Sequence, residues 1–208
     1  MRIKLTITFL LLLPIVSVFY SCVCDVTIKY ESYSHTTLQL KNLDNSGAQI
    51  TETESLQINK SAYGIRLYLT REKSVVACNK QGNSIFIQSA YATSIKCPPE
   101  YMYSPKDSIV SIKIKTIKDF DNTHSENSDV TGYFRVAHFY STIKDYVSNM
   151  YYTFGDDQEF ENSWNKEIIL DLLLMTAPIT NNKQQFEIQV ALSDGRLLKQ
   201  LTTEIEML

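Results

Sequence analysis

Histidine, tryptophan and glycine are scarce in this 208-residue chain, with three, one and six copies. Histidines at only three scattered positions, 35, 124 and 138, leave little for histidine-based catalysis or a histidine-rich metal site. So few glycines provide no glycine-rich phosphate cradle. There is no Gly-x-Ser-x-Gly elbow, and no Ser-x-x-Lys stands in a supporting context. The four cysteines contain no Cys-x-x-Cys pair, which argues against zinc. An excess of basic charge is also missing. The chain has 20 Lys and Arg against 23 Asp and Glu, a net charge of −3. Without residues 1–21, which carry Arg2 and Lys4 and no acid, the net charge is −5. Such a surface does not suit nucleic-acid phosphates. Past the N-terminus no apolar run is long enough to span a bilayer, since the longest, residues 168–175, is interrupted by Asp171.

What is present points to β structure around a real core. Hydrophobic residues make up 44% of the chain, enough to exclude wholesale disorder. Thirteen tyrosines and many threonines favour strands. No repeat, low-complexity tract or linker divides residues 22–208, so they are expected to form a single β-rich domain behind a leader.

Residues 1–21 read as that leader. Arg2 and Lys4 precede an apolar run from Leu5 to Tyr20 that contains Pro14, a pattern of export rather than of a spanning helix. A cut before Cys22 puts Phe19 at −3, a poor fit to ordinary signal peptidase. Ser21 at −1 and a cysteine at +1 suit lipoprotein processing instead. Tyr20 and Phe19 depart from the usual lipoprotein box and resemble the looser boxes of Bacteroidota lipoproteins. The expected modification is a diacylglycerol on the Cys22 thiol and an acyl chain elsewhere on the same residue, with no other cofactor. Two or more chains anchor stably. Only Val23 to Asp25 separate the anchor from the first strand signal, a reach of about 10–14 Å. The short tether and the single acid after the cysteine lean toward the periplasmic side of a bacterial envelope membrane, the outer one being expected.

Alternation predicts strands at 26–30, 37–41, 65–69, 85–87 and 110–114, with a turn at Asp44-Asn45-Ser46-Gly47. Lysines on the outer face of 110–114 suggest a sheet edge. Residues 168–176 form an apolar strand. Phe186, Ile188, Val190 and Leu192 share one face of another, Ser193-Asp194-Gly195-Arg196 makes a hairpin turn, and 197–205 returns. Phe139, Ile143, Tyr146 and Val147 have helical spacing, which predicts one short helix near 141–150 capped by Ser141. The expected fold class is therefore all-β and mainly antiparallel, an immunoglobulin-like β-sandwich with one short helix, with an α+β sheet as the alternative. The closing hairpin resembles those of immunoglobulin-like β-sandwiches in bacterial surface proteins.

Taken together, the leader, Cys22-Val23-Cys24, the Cys78 and Cys97 pair, and the strand–hairpin ending at 184–206 resemble a family of exported Bacteroidota lipoproteins of unknown function. That resemblance implies an envelope location and supplies no activity.

Other candidates are weighed against plainer roles. Cys78 and Cys97 enclose 18 residues. A disulfide between them would contribute about 3 kcal/mol, against two free thiols or pairing of either with Cys24. The acidic runs Asp119, Asp121, His124, Glu126, Asp129 and Asp156, Asp157, Glu159, Glu161 read as solvated connectors rather than calcium loops. Tyr151, Tyr152 and Trp164, with Tyr91, Tyr101, Tyr103, Phe154 and Phe160, are candidate binding aromatics. Asp107-Ser108-Ile109 resembles a Bacteroidota O-glycosylation acceptor, and Asn59-Lys60-Ser61 fits an N-glycosylation pattern. The expected function is a non-catalytic envelope lipoprotein that binds a protein or a glycan. A structural accessory held near the membrane is the alternative, and a carboxylate-pair hydrolase is third.

Overall fold

The computed structural model describes residues 28–73, 100–138, 140–153 and 165–208. Cys22, Cys24, Cys78, Cys97, the strand expected at 85–87, Tyr91, the acidic run at 156–161 and Trp164 lie outside the described residues. So do the side chains of Tyr151 and Tyr152. The chain divides into two compact units, one of Met1–Tyr30 with Ala77–Met102 and one of Glu31–Val76 with Tyr103–Leu208. In the described part of the first, the Lys29 ammonium lies 5.6 Å from the centre of the Tyr101 ring. The second carries the rest of the account.

The elements run β1 (Ile28–Asp44), β2 (Thr51–Glu52), β3 (Gln57–Ile58), β4 (Tyr63–Lys73), β5 (Glu100–Pro105), β6 (Ile109–Thr116) and β7 (Phe134–Val136). Helix α1 (Ile143–Thr153) follows, then β8 (Glu167–Leu174), β9 (Lys183–Gln184), β10 (Phe186–Leu192), β11 (Leu197–Leu201) and β12 (Ile205–Met207). One sheet has the order β2-β1-β4-β8-β7, with β5 also on β1; a second is β11-β10-β6; a third is β3-β12-β9. Among the described residues, β1 with β2 and β4, β4 with β8, β7 with β8, β10 with β6 and β11, and β12 with β9 pair antiparallel, and β12 pairs with β3 in parallel. The mainly antiparallel architecture with one short helix is as expected, and the sheets share one core in a sandwich-like arrangement.

Three local readings need correction. Ile28 to Tyr30 of the strand expected at 26–30 and the strand expected at 37–41 are parts of one strand, β1. Its register against β4 shifts between His35 and Thr37. The extra residue changes the inward parity: Tyr33 and His35 are buried before the bulge, Leu38 and Asn42 after it. The return expected at 197–205 is also two strands. Thr202 ends the pairing with β10, its Oγ1 accepting from the Phe186 amide at 3.0 Å and its amide donating to the Phe186 carbonyl at 2.9 Å. The chain then leaves to form β12 in the third sheet. Finally, α1 is capped by Thr142, not Ser141. The Asp145 amide donates to Thr142 Oγ1 at 3.0 Å, and that hydroxyl donates back to the Asp145 carboxylate at 2.6 Å. The helix face of Ile143, Tyr146 and Val147 packs inward as its spacing implied.

The core holds together through aromatic contacts as well as aliphatic ones. Phe186 on β10 is fully buried. Its ring meets Tyr63 of β4 at 5.7 Å, Phe134 of β7 edge-on at 5.4 Å and Phe120 at 6.3 Å between centroids. β6 is an edge of its sheet with Lys113 exposed, as the lysine pattern suggested. At the β10–β11 turn Gly195 has a φ of 89°, and the Leu192 amide donates to the Arg196 carbonyl at 2.9 Å.

Gly64 on β4 sits where Leu43 of β1 and Leu173 of β8 converge on the outer side of the first sheet. A Cβ there would lie 2.9 Å from the Leu172 carbonyl oxygen, 3.0 Å from Leu173 Cδ2 and 3.3 Å from Leu43 Cβ. Since the nearest atom is backbone, Gly64→Ala is expected to cost about 1–3 kcal/mol. Denaturant unfolding measures it, and an unchanged midpoint would mean that the sheet spreads freely at this point.

Candidate functional site

The acidic segment before β7 is shaped by its own backbone. Asp119 Oδ1 accepts the Glu126 amide at 2.9 Å, and Asp129 Oδ1 accepts the Thr131 amide at 2.9 Å. Asp121 Oδ1 takes the Thr123 and His124 amides, each at 2.8 Å, and Asp121 Oδ2 takes the Tyr133 hydroxyl at 3.0 Å. Burial acts to raise the Asp121 carboxyl, but hydrogen bonds from His124, Thr123 and Tyr133 outweigh it and hold the group well below the usual carboxylate range. These oxygens organise the loop. Among the described residues no group of three His, Cys, Asp or Glu could hold a metal ion.

A second polar cluster is buried. His35 and Asp107 are 3% and 2% exposed. Asp107 Oδ1 accepts from the His35 amide at 3.0 Å and lies 2.6 Å from its Nδ1. Asp107 Oδ2 accepts from the Arg196 guanidinium, whose Nη1 also donates to the His35 carbonyl at 2.7 Å. Ser108 and Ser193 exchange two further bonds, each 2.9 Å. The carboxylate thus clasps β1, the β5–β6 turn and the β10–β11 turn. With Nδ1 facing a carboxylate, the imidazole proton is assigned to Nδ1, and Nε2 has no hydrogen-bond partner among the described residues. The Asp107-Ser108-Ile109 pattern is folded into this clasp, with Asp107 buried.

A recess on the larger unit opens beside Tyr63 and Leu173. It has a volume of about 340 Å³ and is lined by Asn45, Lys60, Ser61, Tyr63, Tyr140 and residues of the 173–177 segment. Each wall has a local cause. Asn45 follows β1, its amide donating to the Ala62 carbonyl at 2.8 Å. Asn59 Oδ1 accepts the Ser61 amide at 3.0 Å and the Ser61 hydroxyl at 2.8 Å, which bends 59–62 into the turn that presents Lys60. The Asn59-Lys60-Ser61 pattern thus serves as a turn. Met175 ends β8, its amide held by the Tyr133 carbonyl at 2.8 Å.

Tyr140 closes the turn between β7 and α1, where the Val136 amide donates to the Ser141 carbonyl at 3.0 Å. The closure requires left-handed backbone, and Tyr140 has a φ of 48°. A tyrosine held there costs about 1–3 kcal/mol of strain, yet its side chain is 62% exposed. No carboxylate is among the lining residues, so a hydrolytic acid pair finds no support in this groove.

Residues 35–203 match a family described as a domain of unknown function, DUF5034. The chain belongs to the DUF5034 family. The DUF5034 match covers the clasp from His35 to Arg196 and all of the groove. Comparisons with curated proteins and with solved structures returned no match. For this DUF5034 chain the sequence pointed to Tyr151, Tyr152 and Trp164 as binding aromatics. Those side chains lie outside the described residues, and the described groove has Tyr140 in its lining, a residue whose one sequence signal is an aromatic inside an otherwise turn-like stretch before the helix.

Proposed function

We propose that this protein is a lipid-anchored binding module of the bacterial cell envelope. Residues 1–21 export it, Cys22 carries the diacylglycerol and acyl chain, and the folded domain offers a surface groove to a glycan or protein partner. The observation that carries the binding role is Tyr140, an exposed aromatic kept on strained backbone beside a concave, carboxylate-free recess. Strain of this kind clusters at ligand-contacting positions. Among the described residues no helix is long and apolar enough to cross a membrane.

The anchor is tested by feeding cells an alkynyl fatty acid and detecting label on the protein. The wild type is expected to be labelled and Cys22→Ala to lose the label. Label that persists on the variant would overturn the anchor. Protease added to intact cells, with a periplasmic protein as the lysis control, separates the two membrane faces, and the short tether predicts protection.

A further inference from the structure

The chemistry of the groove narrows its ligand. This inference rests on the binding role above. We infer that the Tyr140–Lys60 groove binds a carboxylated saccharide, with the sugar ring against Tyr140 and the carboxylate at Lys60.

Three observations lead there. The first is the tyrosine. The turn closed by Tyr140 calls for positive φ, which glycine or asparagine adopts at little cost. Packing does not demand the ring, because most of it faces solvent. An aromatic surface at that position offers a flat apolar face with a hydroxyl at its rim, the kind of surface on which the C–H face of a sugar rests.

The second is charge. Lys60 is exposed and forms no ion pair among the described residues, and the groove contributes no carboxylate of its own. The ammonium brings three donors and a positive charge to the recess.

The third is unspent hydrogen-bonding capacity. Asn45 is half-buried, and its side-chain amide makes no hydrogen bond among the described residues. The Ser61 hydroxyl donates to Asn59, which leaves its oxygen free to accept. An amide and a hydroxyl acceptor beside an aromatic match vicinal sugar hydroxyls better than an apolar side chain. The volume of about 340 Å³ is at the small end of ligand pockets. It suits one or two sugar rings rather than an extended protein surface.

The probes are uronic- and sialic-acid oligosaccharides, each paired with its uncharged methyl ester, titrated calorimetrically against the purified protein. The acids are expected to bind about tenfold more tightly than the esters. Tyr140→Gly is the decisive variant, because it removes the ring while relieving the backbone. Binding should be lost with a melting temperature equal to or above that of the wild type. Lys60→Gln should bring acid and ester to the same affinity. Equal affinity of acid and ester for the wild type would overturn the carboxylate assignment while leaving a sugar site. Binding undiminished in Tyr140→Gly would overturn the location. Failure of every saccharide, with a photo-cross-linker at position 140 capturing a purified envelope protein instead, would overturn the saccharide and leave the binding role standing.

Discussion

Asp107→Ala is expected to destabilise the protein by about 2–5 kcal/mol, since a buried hydrogen-bonding group left without its partner costs about 1–3 kcal/mol and two are left so. Asp107 is nearly inaccessible and gathers donors from two other segments. Its removal strands the His35 amide and Nδ1 in a site closed to water. Arg196 can partly recover, since 42% of its side chain is exposed and Asp194 Oδ2 still lies 2.6 Å from its Nε. The loss should therefore exceed that of Arg196→Ala. Asp107→Asn keeps one acceptor for His35 while turning donors toward Arg196, and should fall between the two. Urea unfolding of the three variants checks the order. An Asp107→Ala loss below about 1 kcal/mol, in the range of an exposed pair, would show that the clasp contributes little. Against a typical stability of about 5–15 kcal/mol, the expected loss leaves a marginal fold.

Phe186→Ala should have a comparable effect, about 3–5 kcal/mol, for a different reason. The ring is shared by β4, β7 and the Phe120 loop, and no solvent-facing side exists into which neighbours could relax. Truncation leaves a cavity bordered by Tyr63, Phe120 and Phe134, three large rings that cannot all shift without breaking strand register. Phe186→Leu refills most of that volume and should cost appreciably less. A thermal melt with an unchanged transition for Phe186→Ala would mean that the sheets close over the gap, contrary to this picture.

Much of the fold was legible because β6 and β10 alternate over most of their length and β8 is a sustained apolar run. The β10–β11 turn was legible through Gly195. β1 was read as two strands because a bulge near Thr36 switches the inward face from odd to even positions, so no single alternating pattern fits it. The division of β11 from β12 was hidden for a related reason. The break depends on Thr202 bonding to Phe186, a partner that sequence cannot point to. The clasp and the groove were not legible at all. His35, Asp107 and Arg196 are separated by 72 and 89 residues. The groove draws on four separate segments, and its aromatic lies in a turn where no periodicity applies. A lone histidine, a turn aspartate and a hairpin arginine each look ordinary until the chain brings them together.

The parallel pairing of β12 with β3 bears on when the molecule can become itself. Gln57 and Glu206, joined in that sheet, stand 149 residues apart. A chain appearing N-terminus first cannot finish its interior until nearly all of it has been synthesised. The entropy of closing so large a loop must be met before the contact gives anything back. Topologies dominated by such distant pairings fold in about milliseconds to seconds rather than microseconds. For a protein exported as proposed, that delay is useful: the polypeptide stays threadable through a translocation channel and commits to its final form on the far side.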